Sequence, residues 1–394
     1  MRKNCGFIFL LCLLGGPAGA STEALAYEAQ VLVLDGIQRT ARVPKGYRLE
    51  FLSRLDAPRL LTFAANGDLF IGSKSGKVYR LPPPYTHADV LVRLNDYPHS
   101  VALRGNEILI AQTNGVYRAA YRPGQKILDA DTLTLLAALP GGSGHDSRTL
   151  RIGPDGRVYV SLGIRGNCSD EYLGEPYAFA ERRGGVLVLR EDGGQARWET
   201  FASGLRNPVG FDWQPHTGAM FASNNGPDHQ GFDQPPEYFS RLAPGSFHGM
   251  PWFQFDGKQI RRDDCVSRTP PRPTQEVSAP VATFPARNAP MGVAFVPAGA
   301  LDKRLELDAI VALRGSWATP PGGAGVSGRR PPKLVAVRFQ ADQALRVDDL
   351  VTGFQLPDGQ RWARPVGVAI GPDGALYFTS DSDTNGLFRL RRTK

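Results

Sequence analysis

The sequence predicts an all-β fold, a six-bladed β-propeller of four-stranded antiparallel blades, and three observations carry that expectation. The 45 Gly and 32 Pro among 394 residues stand well above the roughly 12% of average usage, which excludes a long-helix or coiled-coil protein. Hydrophobic residues at 42% and charged residues at 21% are ordinary globular values, so the chain can bury a core and is not disordered. The third observation is an internal repeat. A polar residue, a short apolar strand, a Pro-Asp-Gly or Asn-Gly-type turn and a second strand recur six times.

In chain order, residues 1–20 (MRKNCGFIFLLCLLGGPAGA) come first: a cationic start, an apolar stretch and small residues at the end. That layout is a secretory signal peptide, with cleavage expected after Ala20 and, as the alternative, after Ala26. The apolar stretch is shorter than the roughly 20 residues of a spanning helix, and no later stretch approaches that length. The expectation is therefore a periplasmic or secreted protein without a transmembrane segment. Processing would lower the formal charge from +8 to +6 and remove Cys5 and Cys12. Cys168 and Cys265 remain, a candidate disulfide in an oxidising compartment, with two unpaired buried thiols as the alternative. In the sequence they lack the clustering of a metal site.

Residues 27–394 then read as a single propeller domain. Segment 46–55 is a spare strand able to close the ring by pairing with the last unit. The repeat appears as PRLLTFAANGDLFIG (58–72), PHSVALRGNEILIA (98–111) and HDSRTLRIGPDGRVYVS (145–161). It returns as RNPVGFDWQPHTGAMFAS (206–223), APMGVAFVPAGA with DAIVAL (289–313), and RPVGVAIGPDGALYFTS (364–380). Further strands such as GKVYRL, GVYRAA and GGVLVLR follow, so each unit is an antiparallel meander with period-two alternation. No meander buries both its faces alone, and stacking supplies the core. Long loops fall at 224–285 and 314–332, and 318–332 (ATPPGGAGVSGRRPP) reads as flexible.

In a propeller the first strand of each blade lines the channel, so the residues entering those strands converge on one end face. They are Arg59, His99, His145, Arg206, Asn288 and Arg364. The result is a cationic, proton-handling ring, or alternatively a set of strand caps paired with loop carboxylates. His87, His216, His229 and His248 sit in loop contexts without ligand spacing. No run of five like charges occurs, and no basic stripe with interleaved aromatics, which argues against nucleic-acid binding. Nucleophile-elbow, zinc-protease and dinucleotide fingerprints are absent.

Segments LPGGSGHDSRTLRIGPDGRVYVSLG (139–163) and GLRNPVGFDWQPHTGAMFASNNGPDHQGFDQPPEYF (204–239), with FHGMPW (247–252), APMGVAF (289–295), RGSW (314–317) and RWARPVGVAIGPDG (361–374), resemble the soluble quinoprotein sugar dehydrogenases. That family includes glucose, aldose, sorbosone and pyranose dehydrogenases. The resemblance implies pyrroloquinoline quinone across the channel mouth with Ca²⁺ beside it, a sugar substrate and an external electron acceptor. His145 matches the general base that takes a proton from the sugar hydroxyl. Arg206 and Asn207 match the pair contacting the quinone oxygens. Lys333, Arg361 and Arg364 match cationic contacts to the cofactor, which suits a tricarboxylate. His99 falls where relatives carry a polar residue near the cofactor. Backbone carbonyls of Gly226 and Pro227 match the metal ligands, and Asp233 is a candidate substrate contact.

The sequence also departs from that pattern. Ala318 and Thr319 follow Trp317 where sorbosone-type relatives continue Asn-Arg. Ile164 stands where glucose-oxidising relatives place an acidic residue, and 282–288 lacks their sugar-stacking aromatics. These differences bear on the substrate. Competing readings are a calcium-dependent lactonase-like hydrolase and a non-catalytic propeller that binds carbohydrate or protein.

Overall fold

The computed structural model describes residues 24–340 and 343–393. The expected signal peptide at 1–20, with Cys5 and Cys12, lies outside the described residues. Six antiparallel sheets form six propeller blades. Blade 1 uses Pro58–Phe63, Leu69–Ser73, Lys77–Leu81 and Asp89–Arg93; blade 2 uses Ser100–Arg104, Glu107–Gln112, Gly115–Ala120 and Thr134–Ala138. In blade 3 Leu150–Ile152, Val158–Leu162, Gly185–Asp192 and Gln195–Ser203 are joined by a fifth strand, Ser246–Phe247, in parallel pairing. Blade 4 comprises Phe211–Trp213, Met220–Asn224, Glu237–Leu242 and Ala282–Phe284; blade 5 comprises Pro290–Phe295, Ala309–Leu313, Lys333–Gln340 and Gln343–Val351.

Blade 6 takes Ala363–Ile370, Leu376–Asp383 and Gly386–Arg392 from the end of the chain and Tyr47–Arg54 from its beginning. The segment expected at 46–55 thus closes the ring, and Glu50 ties the seam by accepting from Arg389 at 2.7 Å and Arg391 at 2.9 Å. One element outside the repeat was not expected, a hairpin of Tyr27–Leu34 and Ile37–Pro44. It buries Leu32, Leu34, Ala41 and Val43 against blades 5 and 6. The stretch 224–285, expected as a loop, instead supplies the third and fourth strands of blade 4 and the added strand of blade 3. It folds a second hairpin, Phe253–Phe255 with Ile260–Arg262, over Tyr172, Phe247 and Trp252.

Between every pair of neighbouring blades lies an apolar cluster, six in all among the described residues. Strand Glu107–Gln112 shows how the sequence builds them: Leu109 and Ala111 face blade 3, whereas Ile108 and Ile110 face blade 1. Both faces of a blade are buried, so its strands read as continuous apolar runs while side chains still alternate. First strands of neighbouring blades pack around the axis. Hydroxyls tie each blade to the next: Ser100 Oγ of a first strand donates to Arg148 O, and Ser223 Oγ and Thr379 Oγ1 of second strands donate to Met291 O and Arg59 O.

Candidate active site

Where first strands begin and second strands end, a cavity of about 640 Å³ opens on the axis. Its wall contains His145, Arg206, Asn207 and Gly226 from the expected set, together with Arg59. Lys74, Tyr97, Asp146, Asp228, Glu237, Arg287, Arg314, Trp317 and Asp381 supply its other charged and aromatic side chains. Five cationic side chains therefore face four carboxylates.

His145 is fixed from two sides. Its Nδ1 lies 2.6 Å from Ile164 O; a carbonyl only accepts, so Nδ1 carries the proton and Nε2 keeps its lone pair. Burial, and then the Arg206 charge, lower its pKa to about 4, so the ring is neutral across the physiological range. Behind it, the His145 carbonyl accepts from Arg148 Nη1 and Arg183 Nη2, both at 2.9 Å. Arg148 and Arg183 are fully buried and spend their donors on loop carbonyls, among them Pro140, Ser143 and Gly163. The 139–148 loop is thereby held as one piece. Ile164, the departure noted in the sequence, contributes its backbone oxygen to the base and buries its side chain.

Gly163 brings His145 and Asn207 together. A Cβ there would lie 2.5 Å from His145 Cβ and 2.6 Å from Asn207 Oδ1, so only glycine allows both to pack on that turn. Asn207 N donates to Asn224 Oδ1 at 2.9 Å. Arg206 donates through Nε to Asn167 O at 3.0 Å and through Nη2 to Asn167 Oδ1 at 2.9 Å; its burial lowers its pKa. On the opposite wall Asp381 bridges Arg59 and Arg314. Burial opposes its ionisation, but those two guanidiniums hold its pKa below the usual value. Glu237, buried and accepting from Gly226 N, is pushed up to about 7 by desolvation, against the pull of Arg287 and Arg206.

Other expected residues lie away from the cavity wall. His99 is fully buried behind Tyr97, with Nδ1 3.4 Å from Thr149 Oγ1 and Nε2 without a partner. Lys333 pairs with Asp349 at 2.6 Å on the outer strands of blade 5. Arg361 donates to Gln355 Oε1 and Ser316 O, and Arg364 to Arg314 O and Gly315 O. These two arginines support the 314–317 turn from behind, and Arg364 lies 4.4 Å from the centre of the Trp317 ring. Asp233 is an exposed partner of Arg330. Pro227 presents its carbonyl to Arg287 Nη1. Asn288, taken as the residue entering blade 5, turns its amide to Pro331 O, and Arg287 faces the cavity instead. The cause is a one-residue change of phase: Arg287 and Ala289 both have positive φ, 69° and 51°.

Cys168 and Cys265 come together with Cα atoms 5.6 Å apart. Their ligand atoms and those of His229 and Asp263 lie within 4.8 Å of one another, a clustering that the sequence spacing did not reveal. Among the residues missed at the cavity, Lys74, Arg314 and Asp381 sit at second-strand ends, Asp228 in the loop after the second strand of blade 4 and Glu237 at the start of its third. Antiparallel neighbours finish where first strands start, so extending the symmetry to second-strand ends was the available signal for the first three. Among the described residues no helix is long and apolar enough to cross a membrane.

A family model described as glucose/sorbosone dehydrogenase matches residues 110–389. An uncharacterized protein of Borreliella burgdorferi is 24% identical over 376 residues, covering 91% of this chain and 93% of its own. Among solved structures, the calcium form of a Trichoderma reesei carbohydrate-active enzyme of family AA12 aligns with TM-score 0.73 and 19% identity, covering 95% of this chain and 99% of its own. The holo form of the PQQ domain of pyranose dehydrogenase from Coprinopsis cinerea aligns with TM-score 0.70 and 18% identity, over 90% and 97% of the two chains. The apo form of the soluble aldose sugar dehydrogenase from Escherichia coli gives TM-score 0.62 and 15% identity, over 88% and 100%. At these identities the structural matches establish a shared propeller fold.

Proposed function

Starting from the fact that this chain belongs to the glucose/sorbosone dehydrogenase family, we propose that it oxidises an aldose-type sugar at C1, with pyrroloquinoline quinone bound in the axial cavity and an external acceptor taking the electrons. The observation that carries this reading is a neutral, Nδ1-protonated His145 beside Arg206 on a wall where cations outnumber carboxylates five to four. Several features of the wall fit a planar trianion. Arg59, Lys74 and Tyr97 bring donor groups to one side of it. Trp317 is 70% exposed at the rim, with Arg314 and Arg364 against its ring, and it offers a flat platform.

The bound quinone supplies a two-electron acceptor. The chain's own part is to orient, desolvate and move a proton. His145 Nε2 takes the hydroxyl proton of the sugar; its lone pair is available at any pH well above 4. Ile164 O and the two guanidiniums on the His145 carbonyl hold the imidazole in that tautomer and place. Arg206, clamped by Asn167, faces the cavity as a fixed charge for a developing oxyanion and needs no reorganisation to act. A lactonase-like calcium site would be built from several inward carboxylates, whereas on this wall Asp381 is committed to Arg59 and Arg314 and Asp228 lies beside Arg206 and Arg287.

The test is His145→Ala in purified protein, assayed by dye reduction with an aldose panel and by the spectrum of bound quinone. Quinone binding is expected to persist while turnover falls roughly 10²- to 10⁴-fold. Full activity in the variant would remove His145 from the mechanism.

A further inference from the structure

The resemblance leads one to expect Ca²⁺ on the carbonyls of Gly226 and Pro227, and the donor set at that place does not fit a hard cation. Calcium takes six to eight oxygen ligands. Here three carbonyls of the loop, those of Pro227, Gly231 and Gln234, are already wrapped around a guanidinium. Arg287 donates through Nη1 to Pro227 O, through Nε to Gly231 O at 2.9 Å and through Nη2 to Gly231 O and Gln234 O. Nη1 also lies 3.3 Å from Asp228 Oδ1. The side chain is only 3% exposed yet belongs to the cavity wall.

Backbone geometry makes this arrangement a built feature. Arg287 stands in the left-handed region at φ 69°, which L side chains rarely adopt. That conformation turns its side chain inward, immediately before the first strand of blade 5. Asp228, a carboxylate beside this place, already lies against two cations, 3.9 Å from Arg206 and 3.3 Å from Arg287. A divalent ion on Pro227 O would sit beside a fixed positive charge and compete with it for the same lone pairs.

We infer that the Arg287 guanidinium occupies the place of a divalent cation in this site, so that the chain holds its anionic quinone without calcium. This inference rests on the quinone reading above. A guanidinium supplies one charge and a rigid fork of donors that suits carboxylate and quinone oxygens. Because it is covalently part of the chain, a chelator cannot remove it.

The experiment uses the purified protein stripped of metal. Quinone binding is followed by its absorbance and by tryptophan fluorescence, in EDTA and in Ca²⁺. Terbium luminescence on the quinone-free protein reports any hard-cation site independently. Wild type is expected to bind quinone with the same affinity, within about threefold, in both buffers, and to show no saturable terbium site. In Arg287→Ala, affinity in EDTA is expected to fall roughly tenfold or more, with partial recovery on adding Ca²⁺. Since Arg287 also staples the loop, Arg287→Lys keeps the charge without the fork and is expected to bind more weakly but still independently of Ca²⁺. Quinone binding by wild type that requires Ca²⁺, or a saturable terbium site displaced by Ca²⁺, overturns the inference while leaving the dehydrogenase reading intact. Failure to bind quinone in either buffer overturns that reading and the inference with it.

Discussion

At the scale of single residues, the buried carboxyl of Glu237 makes the quinone-free protein's stability depend on pH in a defined direction. Desolvation raises its pKa to about 7 from an ordinary 4.5. The folded chain therefore keeps a proton that the unfolded chain releases between those values, and stability falls as pH rises from about 4.5 to 7. Above that window the loss is complete, on the order of 3 kcal/mol. Glu237→Gln keeps an acceptor for Gly226 N and has no proton to lose. Urea denaturation at pH 5 and pH 8 should show wild type losing stability relative to this variant as pH rises. An unchanged difference between the two would contradict the assignment. Residue-scale chemistry was partly legible in the sequence: pseudo-symmetry pointed to Arg59, His145 and Arg206, which do meet at the cavity. It pointed equally to His99 and Arg364, which the fold buries behind the wall. Symmetry fixes where a Cα lies and leaves open which way its side chain turns.

At the scale of elements, the repeated Pro-Val-Gly and Pro-Met-Gly phrases have a steric cause. A Cβ on Gly210 would lie 2.2 Å from Met291 O; on Gly292, 2.7 Å from Val366 O; on Gly367, 2.5 Å from Arg59 O. Each first strand thus approaches the backbone of the next blade so closely that only glycine fits, and the contacts run from blade 4 through 5 and 6 to blade 1. Gly292→Ala would wedge blades 5 and 6 apart against backbone atoms that cannot swing away, at a cost of about 1–3 kcal/mol or more. The expected readout is a lower thermal midpoint with the fold retained; an unchanged midpoint would show that the blades can yield. Hairpins, their turns and the closing strand were legible because each is set by local alternation and turn chemistry. The third and fourth strands of blade 4, Glu237–Leu242 and Ala282–Phe284, were not: both lie in the stretch read as loop, with about forty residues of insertion between them. The Tyr27–Pro44 hairpin also escaped, since it lies outside the repeat that organised the reading.

At the scale of the whole molecule, the six inter-blade clusters make the ring a cooperative object: each blade contributes to two of them. Removing residues 386–394 would take Leu387, Phe388 and Leu390, all fully buried, out of two clusters and leave Tyr47–Arg54 without its partner strand. The truncated chain is expected to lose its cooperative melting transition and to bind a hydrophobic dye. A native-like melt would mean that the remaining blades suffice. Charge takes on a local meaning at this scale, because the modest excess of 46 Lys and Arg over 38 Asp and Glu matters chiefly where several of those cations share one cavity.

The seam in blade 6 has a further consequence in time. Glu50 and Arg391, which meet across it, are 341 positions apart. During synthesis the early strand must wait, with one edge unpaired, until almost the whole chain has been made. Closure therefore comes late and depends on contacts of the greatest sequence separation, the kind that slow folding and leave sticky edges exposed meanwhile. The ring of blades can close only once its last strand has arrived.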